Sequence, residues 1–229
     1  MTNLPHSYLI AGDRIILPSM DSAARNDNLE DFSVQRKRRK SRKYHHPVTM
    51  NDELFITGSI NAITLSDRVR RAGIIPYTIS DSGDIVFAFG IDVSGDYSDA
   101  GGGFSKKYDK LPILAAVREF TEEFLGIIDV AVADLASEPC IVYDNVAIFF
   151  AHYSPEKLFS LPARFSKQLS EYNSQAKKKS EMSGIKLIFE NDIFNVLESG
   201  NIYCVISQLL HRNLKAVISI LRENSIYKS

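Results

Sequence analysis

Apolar residues recur at helical spacing over residues 111–125 and predict an amphipathic helix. At about 100° per residue, Ile113 and Phe120 fall on one face of this helix, while the charged residues fall away from it. Pro112 suits the first helical turn, where its missing N–H costs nothing. Gly126 suits the left-handed position that often follows a helix. The segment is therefore predicted to bury one face and expose the other.

Short apolar runs on both sides of this helix predict strands. The predicted strands span residues 72–80, 85–91, 130–136, 140–153 and 185–189. The turn-forming sequence at residues 81–84 joins the first two as a hairpin. The second strand is apolar nearly throughout, which is typical of a central strand. Residues 140–153 form either one long strand or a hairpin broken at Asp144 and Asn145.

The remainder of the chain alternates polar segments with helical patterns. Residues 155–180 predict a helix or a loop rich in lysine and serine. Asn191 is a candidate N-cap for a helix that ends near Glu198. Leucine and isoleucine at three and four spacings predict helices at residues 203–211 and 214–223. Strands mixed with helices predict an α/β sandwich.

Composition is consistent with one folded domain and extensions. The chain has 229 residues, 45% of them hydrophobic, and a formal net charge of −1. Cys140 and Cys204 lack metal-ligand spacing and are expected to be reduced. No secretory signal is visible, and no run of about 18 apolar residues predicts a membrane span. We therefore expect an intracellular, cytoplasmic protein with no membrane partner.

The N-terminal 50 residues are polar and carry a basic block from Arg36 to Lys43. Seven of its eight positions are cationic. Such a block cannot bury itself and is typical of an exposed extension. It is also typical of an RNA-backbone contact or of a nuclear-targeting signal, and the latter would add the nucleus as a location.

The exposed face of the residue 111–125 helix is acidic. Glu119, Glu122 and Glu123 lie at spacings that bring them together, with only Arg118 near to limit their repulsion. Three glycines, residues 101–103, precede the helix and allow the backbone to approach closely. This combination suits a hard divalent cation that also contacts phosphate. A merely solvated acidic face is the alternative.

The run GGGFSKKYDKLPILAAVREFTEEFLG, residues 101–126, resembles the Nudix box of hydrolases that cleave nucleoside diphosphates linked to another moiety. Its REFTEE segment, residues 118–123, matches the central part of that pattern. One residue is inserted between Gly103 and Arg118, so the first glutamate of the pattern falls on Asp109 or Lys110. We favour Asp109 as the substitute carboxylate. A second insertion lengthens the segment between Glu123 and the closing glycine.

The resemblance implies a Nudix-like α/β/α sandwich with a mixed central sheet. Its domain would span residues 51–200, after an N-terminal extension over residues 1–50. Residues 201–229 would form a C-terminal helical addition packed on the domain.

The resemblance also implies the site residues. Glu119, Glu122 and Glu123 would be metal ligands for Mg²⁺ or Mn²⁺, with Glu119 acting as ligand or base. Arg118 would hold Glu119, and a carbonyl near Gly102 or Gly103 would complete the metal shell. A further catalytic glutamate is expected before a downstream strand; Glu181 is the best candidate, and Glu171 and Glu190 are weaker ones.

The substrate is less defined than the chemistry. The segments RAGIIPYT, YSDAGGG and REFTEEFLG are similar to those of Nudix proteins from large DNA viruses. Some of those proteins remove the cap from mRNA, and related enzymes cleave diphosphoinositol phosphates or dinucleoside polyphosphates. A non-catalytic Nudix-fold module that binds RNA or a nucleotide is the competing interpretation. The oligomeric state is not predicted.

Overall fold

The computed structural model describes residues 9–10, 15–16, 55–58, 68–143, 145–175 and 179–226. The strands are β1 (Leu9–Ile10), β2 (Ile15–Ile16), β3 (Phe55–Gly58), β4 (Arg71–Ile79), β5 (Ile85–Asp92), β6 (Tyr97–Ser98), β7 (Ala100–Gly103), β8 (Pro139–Tyr143), β9 (Val146–His152) and β10 (Met182–Phe189). The helices are α1 (Pro112–Glu123), α2 (Val132–Leu135), α3 (Pro155–Gln175), α4 (Glu190–Glu198) and α5 (Cys204–Ile226).

The strands form one mixed sheet in the order β1-β2-β3-β8-β9-β4-β5-β10. β4 lies in its interior and runs parallel to β9, whereas the other strand pairs in the described residues are antiparallel. Residues 140–153 form the hairpin β8–β9, so the hairpin alternative is the correct one. The predicted hairpin of β4 and β5 is also confirmed.

β4 and β5 separate at one end. They pair where Tyr77–Ile79 meets Ile85–Phe87. Beyond that point β6 pairs with β5, and the glycine strand β7 pairs with β4. The glycines therefore lie in an opening between two interior strands, directly before the loop that leads to α1.

Each face of the sheet carries its own hydrophobic core. Alternate residues of β4 face opposite ways, so Ile74 packs with α1 and α3 while Ile75 packs with α4 and α5. Both isoleucines are completely buried. The predicted α/β/α sandwich with a mixed central sheet is confirmed. α5 contributes Ile206 and Leu221 to the second core, while the predicted domain boundaries at residues 50 and 200 stay a prediction.

Three local predictions are wrong. Residues 130–136 contain the short helix α2 instead of a strand, because only Leu135 is buried within α2 and no alternating face packs on the sheet. Asn191 does not cap α4; Phe189 occupies the N-cap position without a side-chain hydrogen bond. The two predicted C-terminal helices are one continuous helix, α5.

α1 begins at Pro112 as predicted, but its end differs from the expectation for Gly126. Leu125 already adopts a left-handed conformation, with φ 54°, and Gly126 follows with φ 63°. The Leu125 N–H donates to the Glu122 carbonyl, and the Gly126 N–H donates to the Thr121 carbonyl. These two bonds form a Schellman ending, so the extra residue is absorbed after the acidic face.

No helix in the described part of the chain is both long and apolar enough to cross a membrane.

Candidate active site

Arg118 ties α1 to the loop that precedes it. Its Nε donates to Asp109 Oδ1 at 2.8 Å, and its Nη2 donates to Asp109 Oδ2 at 3.2 Å. Asp109 is buried and also accepts the Ser105 N–H at 3.0 Å. The hydrogen bonds from Arg118 are the main reason that the pKa of Asp109 lies below its ordinary value. Both carboxylate oxygens of Asp109 are thus committed to holding the loop and Arg118.

The residue inserted before the helix is accommodated at Lys110. Lys110 is exposed and adopts a left-handed conformation with φ 64°. This conformation is unfavourable for a residue with a Cβ and occurs mostly at single turn positions. Asp109, not Lys110, therefore supplies the buried carboxylate that contacts Arg118, as favoured from the sequence.

Glu119 lies against the glycine strand. Arg118 Nη1 donates to Glu119 Oε1 at 2.7 Å, which is the pairing that the box predicts. A Cβ at Gly102 would overlap the Glu119 carboxylate, so only glycine permits this approach. The Gly103 carbonyl, expected to complete a metal shell, accepts a hydrogen bond from Arg118 Nη2 at 3.1 Å.

Glu123 also contacts the glycine strand, through a hydrogen bond from the Gly101 N–H to its Oε2 at 2.9 Å. The pKa of Glu123 is raised to about 8, mainly by burial and also by the charges of Asp99 and Glu119. The hydrogen bond from Gly101 and the charge of Arg71 act in the opposite direction. A proton or a cation is therefore favoured beside this carboxylate.

Glu122 differs from its two neighbours. Its side chain is 64% exposed, and its Oε2 is 3.9 Å from Arg118 Nη1. Across the described ranges, no three acidic, histidine or cysteine side chains are grouped closely enough to hold a metal ion. The donors themselves fit Mg²⁺ or Mn²⁺, because carboxylate oxygens are hard ligands. The assignment of Glu119, Glu122 and Glu123 as ligands stays a prediction.

A second charged pair lies outside the box. Arg71 binds the buried Asp99 through two hydrogen bonds, Nη1 to Oδ2 at 2.6 Å and Nη2 to Oδ1 at 2.7 Å. The sequence interpretation did not single out Arg71. A Cβ at either Gly73 or Gly101 would overlap the Asp99 carboxylate, so glycine at these two positions makes room for the pair.

Glu181 lies immediately before β10, as expected, and its carbonyl accepts the Val93 N–H at 3.2 Å. Its side chain is exposed. A catalytic role for Glu181 stays a prediction. The basic block from Arg36 to Lys43 lies outside the described residues.

No protein-family model matches the chain, and no curated protein matches it. Similar solved structures include a binary complex of Ap4A hydrolase from C. elegans, with 15% identity, 66% of this chain and 98% of that chain covered, and a TM-score of 0.38. A second structure of C. elegans Ap4A hydrolase has 15% identity, covers 65% of this chain and 98% of that chain, and has a TM-score of 0.37. A mutT/nudix family protein from Listeria innocua has 15% identity, covers 65% of this chain and 93% of that chain, and has a TM-score of 0.38. At these identities and TM-scores the matches define no family for this chain, and its function has to be inferred from the geometry of the site.

Proposed function

We propose that this protein is a divalent-metal-dependent hydrolase that cleaves a diphosphate linkage in a nucleoside diphosphate derivative. The observation that carries the proposal is the docking of the acidic face of α1 on the glycine strand. Glu119 lies on Gly102 and Glu123 binds the Gly101 N–H, so two carboxylates of one helix meet backbone that has no side chains.

The side chains around this face have distinct tasks. Arg118 fixes Glu119, and Asp109 fixes Arg118 from the other side. Glu122 is exposed and is the carboxylate most accessible to an incoming phosphate-bound cation. When bound, Mg²⁺ or Mn²⁺ supplies charge that offsets the phosphates and lowers the pKa of a bound water. The protein groups hold the acids in place before substrate arrives, which reduces the reorganisation needed for reaction.

The same chemistry serves several substrates. A capped RNA, a dinucleoside polyphosphate and a diphosphoinositol phosphate each present a phosphoric anhydride next to further negative charge. The acidic face of α1 recognises the anhydride through the cation and does not distinguish among the three. Capped RNA is proposed because the basic block offers counter-charges for a nucleic-acid backbone.

A non-catalytic module that binds a nucleotide or RNA is the second candidate. It is favoured by one observation, the use of both Asp109 oxygens in contacts with Arg118 and Ser105. With both Asp109 oxygens occupied in this way, the site has one carboxylate fewer with which to bind metal ions.

A substrate panel with Mg²⁺ and with Mn²⁺ separates these candidates. It contains capped RNA, dinucleoside polyphosphates, nucleoside-diphosphate sugars and diphosphoinositol phosphates, and the readout is the release of phosphate-bearing products. The double variant E122Q/E123Q should lose at least about a hundredfold in rate, since metal ligands contribute more than their supporting residues. E156Q, a change of an exposed glutamate on α3, is the matched control. Binding without turnover for every substrate would support the non-catalytic module, whereas full turnover by E122Q/E123Q would end the proposed mechanism.

A further inference from the structure

The ion pair between Arg71 and Asp99 is unusual in its burial. The Asp99 side chain is completely buried and that of Arg71 is 17% exposed. Taking both charges out of water costs several kcal/mol, so a buried ion pair is weak evidence for a role in stability alone. Arg71 is the first residue of β4 and Asp99 lies between β6 and β7, so the pair bridges the two sides of the opening in the sheet.

Gly101 connects this pair to α1. Its carbonyl accepts a hydrogen bond from Arg71 Nη2 at 3.0 Å, and its N–H donates to Glu123 Oε2 at 2.9 Å. Both polar groups of one residue are thereby fixed, one by the ion pair and the other by the box helix. A Cβ at Gly101 would overlap the Asp99 carboxylate, so this position requires glycine.

The segment before α5 supports Arg71 from another direction. The guanidinium carbon of Arg71 lies 5.5 Å from the centre of the Tyr203 ring, within the range of a cation–π contact. The Tyr203 N–H donates to the Tyr97 carbonyl at 2.7 Å, and the Tyr97 N–H donates to the Asn201 carbonyl at 2.7 Å. The C-terminal part of the chain is thus anchored to β6 and places an aromatic ring against Arg71.

We propose that Arg71 and Asp99 are positioning residues for the Glu123 carboxylate and act through Gly101. Tyr203, which immediately precedes α5, contributes by holding its ring against Arg71. The inference rests on the proposed function, because it assigns the pair to the cation site of α1. Arg71 holds the Gly101 peptide, Asp99 holds Arg71, and the oriented Gly101 N–H holds Glu123. Without the hydrogen bonds from the Arg71 guanidinium to Asp99 and to the Gly101 carbonyl, the Gly101 peptide is held less firmly, and so is the Glu123 carboxylate that its N–H binds.

The test is Mn²⁺ binding to the folded protein, measured from the free-ion signal in electron paramagnetic resonance. R71K keeps the positive charge but removes the planar fork that bonds Asp99 and Gly101 together. Its dissociation constant for Mn²⁺ should rise about tenfold, the lower end of the effect of residues that orient metal ligands. The matched control is R222K, since Arg222 makes a two-oxygen contact with Glu190 near Ile85, at the other end of β5. R222K should bind Mn²⁺ as the wild type does.

A purely structural pair would lower thermal stability without changing the Mn²⁺ affinity of the folded protein. We therefore expect R71K to need about tenfold more Mn²⁺ for half-maximal turnover, with kcat at saturating Mn²⁺ largely retained. Wild-type Mn²⁺ affinity in folded R71K would overturn the inference and leave the proposed function standing.

Two further outcomes are decisive. If R71K does not fold, Y203L is measured instead, because Tyr203 is partly exposed and its replacement removes the ring that lies against Arg71. Y203L should weaken Mn²⁺ binding about threefold, and unchanged affinity would overturn the inference. A wild-type protein that binds no Mn²⁺ and cleaves no diphosphate would overturn the proposed function and this inference together.

Discussion

Removal of the Arg118 side chain should destabilise the protein through Asp109. Arg118 donates two hydrogen bonds to Asp109, one to Glu119 and one to Gly103. In R118A the buried Asp109 carboxylate loses both hydrogen bonds from Arg118 and keeps the one from the Ser105 N–H. Breaking a buried charge pair typically costs about 3–5 kcal/mol. Because the Arg118 side chain is 38% exposed, solvent reduces that figure, and we expect about 3 kcal/mol.

Thermal and urea unfolding measure this loss. For a protein of this size, about 3 kcal/mol corresponds to a fall in Tm of roughly 6–12 °C. R222A is the matched control, because the Arg222 side chain is 47% exposed in its pair with Glu190 and should contribute about 1 kcal/mol or less.

The cause can be isolated with D109N. In the R118A background D109N removes the orphaned charge and should restore about 1–2 kcal/mol, whereas in the wild type it should destabilise. Equal losses of stability in R118A and R222A would refute the assignment of Asp109 as the buried partner of Arg118. An equal effect of D109N on stability in R118A and in the wild type would refute it as well.

Three other predictions follow from the site. G102A should lower Tm and weaken Mn²⁺ binding, because the new Cβ overlaps Glu119, while G103A, whose Cβ meets no atom within 4 Å, should do neither. The pKa of Glu123, about 8, lies above its unfolded value, so its contribution to stability is full below about pH 4.5 and is lost as pH rises through about 8. In metal-free protein, E123Q should therefore flatten the fall in unfolding free energy between pH 5 and 8, and an unchanged profile would contradict the assignment. Replacement of the seven cationic residues between Arg36 and Lys43 by glutamine should weaken RNA binding more than hydrolysis of small nucleotides, and equal losses would argue against an RNA contact in that segment.

Local signals account for the elements that the sequence predicted well. α1 has a proline at its start and a buried stripe, both readable within 15 residues of chain. The β8–β9 hairpin is rich in β-branched and aromatic residues. Residues 130–136 were assigned to a strand from a short apolar run, which does not by itself distinguish a strand from a helix, and in α2 only Leu135 is buried. The left-handed Leu125 was missed because glycine is the usual residue there.

The candidate site likewise has features that the sequence predicted and features that only the fold reveals. The pairing of Arg118 with Glu119 is a local feature that the box predicts, whereas the need for glycine at position 102 is seen only from its contact with Glu119 in the structure. Asp109 was selected by counting residues, and the buried contact with Arg118 gives that count a physical meaning. The Arg71–Asp99 pair was missed because its members are 28 residues apart, and only the pairing of β4 with β7 brings them together.

The most direct test of the account is the position of a bound cation. Anomalous scattering from crystals of the wild-type protein soaked in Mn²⁺ would locate the ion without reference to activity. The account predicts a peak on the acidic face of α1, about 2 Å from carboxylate oxygens of Glu122 or Glu123 and absent from E122Q/E123Q. A peak elsewhere, or no peak at α1 in a protein that hydrolyses diphosphates with Mn²⁺, would contradict it.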